Sequence, residues 1–194
     1  MTPGVILYGP PAAGKDTVTQ ELVKLASEYA LFRRLKVGCG RTVGYRMATD
    51  ADVEHLRASG EILWENERYG STYIVDRTTL VDELSRRIPV LHLGQPGGIE
   101  AVLDAFPHGS WIVVYVWSSR SIAARRIEAR QTGDSAERLA AWDATPPIDA
   151  DLEINTGQVS PAQAAREIDA AVRGQGNARN PTARGAKSER RNSA

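Results

Sequence analysis

A doubly wound parallel α/β sheet is the fold class that this 194-residue sequence predicts, and three observations lead to it. The first is the stretch Gly9-Pro10-Pro11-Ala12-Ala13-Gly14-Lys15-Asp16-Thr17, which follows a short apolar run, Val5-Ile6-Leu7-Tyr8. Behind it, Val18, Leu22, Val23 and Leu25 recur at helical spacing. A G-x-x-x-x-G-K string between a strand and a helix reads as a phosphate-binding loop, whereas alone it is only a glycine-rich turn. The second observation is Trp111 to Trp117, apolar almost throughout, as expected of a strand covered on both faces. The third is the alternation of such runs with amphipathic helical segments, the pattern of a P-loop NTPase-type sheet.

The loop carries its own chemistry. Gly9 and Gly14 permit backbone conformations and close approaches that a Cβ obstructs. Loop N–H groups and the positive end of the next helix converge on an anion. Lys15 adds a mobile charge for the terminal phosphates of a nucleoside triphosphate. The residues from Gly9 to Thr17 are therefore the candidate nucleotide contacts. The residue after the lysine is usually Ser or Thr, whose hydroxyl binds Mg²⁺; here it is Asp16. Its carboxylate either holds Mg²⁺, directly or through water, or is simply a favourable acid in a first helical turn. Thr17 offers a hydroxyl instead.

The chain is long enough for one α/β domain with a substantial core. Its formal net charge of zero gives no global reason to expect nucleic acid or an anionic membrane as partner. A single cysteine, Cys39, excludes an internal disulfide framework and fits a reducing compartment. No basic segment followed by a signal-type apolar stretch opens the sequence, and Trp111 to Trp117 is far too short to span a bilayer. The expectation is a cytoplasmic protein of unspecified oligomeric state.

In chain order, the first helix is expected from Lys15 to about Tyr29, and Gly44 to Ala48 as extended chain. Thr49-Asp50-Ala51-Asp52 supplies a capping pattern for a helix with Val53 and Leu56 on its apolar side, ended by Gly60. Ile62 to Val75 reads as two strands joined by a polar turn. Asp76 caps a helix whose core stripe is Leu80, Val81, Leu84 and Ile88. Pro89 to Leu93 is a short buried strand, followed by a helix bearing Ile99, Val102, Leu103 and Phe106. After Trp117 comes an arginine- and alanine-rich segment to Ala141, then a strand at Leu152 to Asn155 and a helix from Pro161 to Val172. Residues 1–173 form the domain, with 33–75 an inserted substrate-binding subdomain, and 174–194 a disordered, mildly basic tail.

Four features, together covering about Val5 to Val172, resemble guanylate kinases and their relatives, including ribose 1,5-bisphosphate phosphokinase. Besides the phosphate loop, Arg33 and Lys36 precede Tyr45 by twelve and nine residues, the spacing of that family's acceptor-phosphate site. Tyr69-Gly70-Ser71 matches its Tyr-Gly-Ser/Thr, whose tyrosine binds phosphate and whose hydroxyl touches the base. Arg126, Arg130 and Arg138 resemble its arginine-bearing lid, here about 118–145, and Asn155 its late asparagine near adenine. The resemblance implies ATP and Mg²⁺ as cofactors and a small phosphorylated acceptor. It makes Lys15, Arg126, Arg130 and Arg138 catalytic, and gives Arg33, Lys36, Tyr45, Glu65, Tyr69 and Ser71 the acceptor.

Departures bear on the acceptor. Where the family carries an aspartate that helps recognise guanine, this chain has Gly94, and an earlier acid aligns with His92. Glu65 is the candidate for the guanine-reading glutamate. The Gly-Lys-Asp sequence is closer to ribose 1,5-bisphosphate phosphokinase. Three readings follow: a kinase for a nucleoside monophosphate such as GMP; a ribose 1,5-bisphosphate kinase; and a catalytically silent interaction module, against which Gly14 and Lys15 speak.

Overall fold

The structure is a computed structural model that describes residues 2–177. The tail anticipated from Gly174 lies outside the described residues beyond Asn177, and up to that residue the chain is helical.

Five strands form one all-parallel sheet in the order β2-β7-β1-β8-β9. They are β1 (Gly4–Tyr8), β2 (Tyr29–Leu31), β7 (Ile88–Leu93), β8 (Trp111–Trp117) and β9 (Leu152–Asn155). Because side chains alternate along a strand, β1 feeds two cores. Val5 and Leu7 meet Val18 and Leu22 of α1 (Lys15–Leu25) and Ala165 and Ile168 of α7 (Pro161–Asn177). Ile6 and Tyr8 meet Leu80 and Leu84 of α3 (Arg77–Arg86) and Ile99 and Val102 of α4 (Pro96–Ala105) on the other face. Every β1 residue is buried, as a central strand covered on both faces requires. The doubly wound sheet is thus the fold that the alternating pattern predicts.

A second, four-stranded sheet lies within the inserted segment, in the order β4-β3-β6-β5. Its strands are β3 (Leu35–Gly38), β4 (Arg46–Met47), β5 (Ile62–Arg68) and β6 (Ser71–Asp76), with α2 (Asp50–Ala58) between β4 and β5. The capping box at Thr49 and Asp52 that starts α2 forms as its sequence predicts. Trp64 of β5 is packing rather than a free platform: its indole lies so close to Gly97 and Gly98 that a Cβ on Gly97 would come within 2.9 Å of it. These two glycines let the second sheet dock on the first turn of α4.

The structure differs from the sequence reading in a few places. The first helix stops at Leu25, and Tyr29 opens edge strand β2. Ala26 is extended and turns the chain, while the Tyr29 hydroxyl donates to Asp169 Oδ1 of α7 at 2.8 Å. Val81 faces solvent, and Ile88 belongs to β7 because Arg87 already has extended backbone. The arginine-rich segment forms two helices, α5 (Arg120–Glu128) and α6 (Ser135–Asp143). Positive φ at Gln131 and Gly133 separates them.

Asp76, the last residue of β6, ties the second sheet to α3, which packs on the first. It is buried, accepts from Thr79 N at 3.3 Å as the cap of α3, and pairs with Arg46 of β4. Asp76→Ala removes a helix cap and strands a partly buried guanidinium. It should lower unfolding free energy by about 2 kcal/mol, read as a shifted urea midpoint at unchanged slope.

Candidate functional site

The site is built at the carboxyl ends of β1 and β7, where an open α/β sheet leaves a crevice. The chain leaves β1 through Gly9 at φ 150°, and a Cβ there would lie 1.9 Å from Val116 O of β8. Only glycine passes so close to the neighbouring strand. Gly14, at φ 100°, is the N-cap of α1. Lys15 opens the helix and folds back, so that Nζ donates to Gly9 O at 2.6 Å and Pro10 O at 2.9 Å. Burial lowers its pKa to about 8, opposed by the negative charge of Asp16.

Asp16 sits at the centre of a chain of polar contacts. Its Oδ2 accepts from Arg41 Nη1 at 3.0 Å, and its Oδ1 lies 3.3 Å from His92 Nδ1. His92 Nε2 is 2.7 Å from Thr19 Oγ1. The His92 hydrogen bond, with Arg41 adding to it, holds the Asp16 carboxyl far below the usual carboxylate range despite its partial burial. Burial lowers the His92 pKa, so the imidazole is neutral at pH 7. Among the described residues no group of three or more His, Cys, Asp and Glu side chains forms a protein-only metal cage. One hard, ionised carboxylate beside a phosphate loop still suits Mg²⁺, which keeps several waters and takes phosphate oxygens as further ligands. Asp16 fits that need: its side chain is 43% exposed and faces the cleft.

Opposite the loop, the second sheet presents a cluster of cations and tyrosines. Tyr45 and Tyr73 pack with ring centroids 5.3 Å apart. Arg34 lies 5.1 Å from the Tyr73 centroid, and Lys36 Nζ lies 5.7 Å from both rings. Lys36 is buried and donates to Arg41 O at 2.9 Å and to Cys39 O. Tyr69, at φ 53° in the turn between β5 and β6, carries the Arg138 guanidinium 4.8 Å from its ring centroid. Arg138 also pairs with Asp134 at 2.7 Å. Helix α6 thereby touches the second sheet across the cleft.

The cleft encloses about 720 Å³. Lys15, Arg34, Lys36, Arg41, Arg68, Arg130 and Arg138 line it, against the carboxylates of Asp16 and Asp134 alone. That excess of cations suits polyanions. Of the residues singled out from sequence, the cleft brings together the loop from Gly9 to Thr17, apart from the Pro10 side chain, with Lys36, Tyr45, Tyr69, Arg130 and Arg138.

Others stand elsewhere. Arg33 is exposed and outside the cleft lining, and its neighbour Arg34 takes the inward place. Glu65 points to the opposite face of β5, where it pairs with Arg57 at 2.7 Å. Ser71 is buried, donating to Cys39 O at 3.2 Å. Asn155 accepts from Gly157 N at 2.9 Å in the turn after β9. Arg126 braces the phosphate loop from behind, donating to Ala12 O at 3.1 Å and to Thr156 Oγ1 and O at 3.0 Å each. Sequence reasoning passed over Arg34, Arg41, Tyr73 and Thr156. Only Tyr73 carried a signal, since strand alternation places it on the face of Tyr69 and Ser71. His92, which stands where the family carries an acid, has Thr19 and Asp16 as its polar neighbours.

No protein-family model matches the sequence. The chain is 30% identical over 132 residues to the guanylate kinase of Streptomyces coelicolor, and the match spans 66% of each protein, just under two thirds of that relative's length. Guanylate kinase from Anaplasma phagocytophilum superposes with a TM-score of 0.61 at 18% identity, over 90% of this chain and 86% of that one. A gluconokinase from Sinorhizobium meliloti 1021 does so with a TM-score of 0.53 at 15% identity, over 90% and 94%. At such identities the two structures show a shared fold.

The Lys15 pKa gives a pH test. A bound phosphate favours the ammonium form, whereas burial without an anion disfavours it. Binding of a triphosphate should therefore take up protons near pH 8 and weaken as pH rises through about 8. Calorimetric titration in buffers of different ionisation enthalpy measures the uptake, and Lys15→Met should abolish it.

Proposed function

The chain belongs to the guanylate kinase-like P-loop kinases, and from that premise we propose that it transfers the terminal phosphoryl group of ATP to a small phosphorylated acceptor, a nucleoside monophosphate such as GMP being the leading candidate. One observation carries the proposal: a phosphate loop holding Lys15 and a second cation cluster around Lys36, Arg34 and Tyr45 face each other across a single cleft. Two anion subsites facing one another are what phosphoryl transfer between two phosphates requires.

In this reading the triphosphate lies on the loop N–H groups, with Lys15 leaving the Gly9 and Pro10 carbonyls for the terminal phosphates. Lys36, Arg34, Tyr45 and Tyr69 hold the acceptor phosphate so that its oxygen attacks the γ-phosphorus in line, and ADP departs as the bridging bond breaks. Arg130 and Arg138 neutralise charge on the transferring group. Arg126 acts on the loop's shape. Asp16 would hold Mg²⁺, which supplies further neutralisation between the phosphates. No general base is needed, because the acceptor phosphate is largely ionised near neutrality. Closure of α5 and α6 over the cleft would exclude water as a competing acceptor.

A sugar phosphate acceptor such as ribose 1,5-bisphosphate is the second reading, and a specific observation favours it. Gly94 offers no carboxylate, Glu65 is turned to Arg57, and Asp16 and Asp134 are each paired. The N1–H and amino donors of guanine thus have no free carboxylate waiting in the cleft.

ADP release measured with ATP, Mg²⁺ and a panel of nucleoside monophosphates and ribose 1,5-bisphosphate decides between them. Lys15→Ala should lower kcat by about 10²- to 10³-fold with the true acceptor. Tyr45→Phe should raise the acceptor KM about fivefold and leave the ATP KM unchanged, as loss of one hydrogen bond predicts. Silence with every acceptor and no ATP binding would exclude the kinase reading.

A further inference from the structure

P-loop enzymes hold Mg²⁺ from two positions: a hydroxyl just after the loop lysine and an acid at the end of a neighbouring strand. In this chain both positions have changed. The first is Asp16, and the second, in the strand beside β1, is His92, in register with Leu7. The two replacements touch, His92 Nδ1 lying 3.3 Å from Asp16 Oδ1. A carboxylate only accepts, so Nδ1 carries the proton, and Nε2 accepts from the Thr19 hydroxyl at 2.7 Å. Thr19 is itself buried, 4% exposed, on the inner face of α1. The imidazole is therefore held at one nitrogen by α1 and aims the other at Asp16.

We propose that the metal-holding carboxylate has passed from the strand end to the phosphate loop, and that His92 is the positioning residue that fixes Asp16 toward the nucleotide's Mg²⁺. The inference rests on the ATP-dependent reading above. An acid at the strand end needs only to point outward, since the strand already fixes it. A carboxylate on the first turn of a helix swings about two torsions and meets a competing cation, here Arg41 Nη1 at 3.0 Å. An imidazole donor on Oδ1 removes that freedom and leaves Oδ2 as the atom exchanged between Arg41 and the metal. Arg41 is 58% exposed at its side chain, so it can withdraw into solvent or toward the acceptor without a buried charge being stranded.

The test is calorimetric binding of β,γ-methylene-ATP, which is not turned over, to the full chain with and without Mg²⁺. Mg²⁺ should tighten binding to the unaltered protein. His92→Ala should cut that metal-dependent gain about tenfold while leaving metal-free affinity unchanged, the effect of removing a group that orients a ligand. His92→Asn, whose amide can still donate to Asp16, should keep most of the gain. Asp16→Ser should lose it, and the double variant Asp16→Ser with His92→Asp should regain it by restoring the usual pair. Arg41→Ala should leave the gain intact or enlarge it. The inference is overturned if His92→Ala keeps the full gain, if the double variant is no better than Asp16→Ser, or if Arg41→Ala reproduces the Asp16→Ser loss. Analogue binding that ignores Mg²⁺ in the unaltered protein would sink this inference alone. No binding at all would sink the ATP-dependent reading with it. Should His92→Ala fail to fold, as thermal unfolding would reveal, the double variant carries the test.

Discussion

Like charges must be kept together in a cleft before the anion that justifies them arrives. Seven cationic side chains line this cleft, and in a low-dielectric crevice their mutual repulsion is a cost that the folded protein bears. The fold meets it with neutral acceptors. Lys15 rests on two carbonyls of its own loop, and Lys36 on the carbonyls of Cys39 and Arg41. Arg34 lies against tyrosine faces, and Arg138 combines a tyrosine face with Asp134. Carbonyls and ring faces stabilise a cation without cancelling its charge, so each remains available to a phosphate. This is preorganisation in a literal sense: the charges wait in place, and exchanging a carbonyl for a phosphate oxygen needs little rearrangement.

Backbone geometry makes those acceptors available. The loop carbonyls that receive Lys15 turn inward because Gly9 passes within contact of β8 and Gly14 adopts a left-handed conformation. On the other side, Gly38 at φ 117° lets β3 end against Ser71 and sends the chain through Cys39 to Arg41. Lys36 and Ser71 then converge on the Cys39 carbonyl from adjacent antiparallel strands. Ser71 so shapes the loop that carries Arg41. The two sheets thus supply one wall each, and Trp64 against α4 together with Asp76 capping α3 holds the second sheet to the helices that cover the first.

Much of this was legible in the sequence wherever the signal was local. The phosphate loop, the two-faced strand at Trp111 to Trp117, the capping box at Thr49 and the cap at Asp76 each follow from a few adjacent residues and formed as read. The edge strand at Tyr29 escaped, because its fixing contact is with Asp169, far along the chain. In the site, loop residues could be placed, but side-chain direction could not. Arg33 and Arg34 are adjacent in the link between β2 and β3, and the course of that link rather than spacing decides which one faces the cleft. Glu65 likewise sits on the wrong face of β5, and a one-residue difference in register would have reversed that. Arg126 stood out by charge, yet its reach to Ala12 depends on the packing of α5 beside β9, which no local pattern encodes.

The distribution of acceptors in the cleft separates what is fixed in this chain from what is open to variation. Phosphoryl transfer draws on donors and cations, and those come from the phosphate loop, from the second sheet and its loops, and from α6 with the turn before it, braced by backbone. Reading a base draws on a few acceptors placed at one edge, and here the strand end that would bear one is Gly94 and the nearest glutamate is turned away. A site that hydrogen-bonds a substrate's donors rejects analogues lacking them by large factors, and a site without such acceptors forgoes that discrimination. On the kinase reading proposed above, anion capture would dominate recognition in this cleft, and the number and separation of the acceptor's phosphates would set selectivity. In that reading the gap between the Lys15 loop and the Lys36 cluster would matter most, and the contacts of Trp64 with α4 and of Asp76 with α3 position the second sheet that carries the cluster. Acceptor choice would then be a property of how the second sheet docks on α3 and α4 as much as of the residues that touch the substrate.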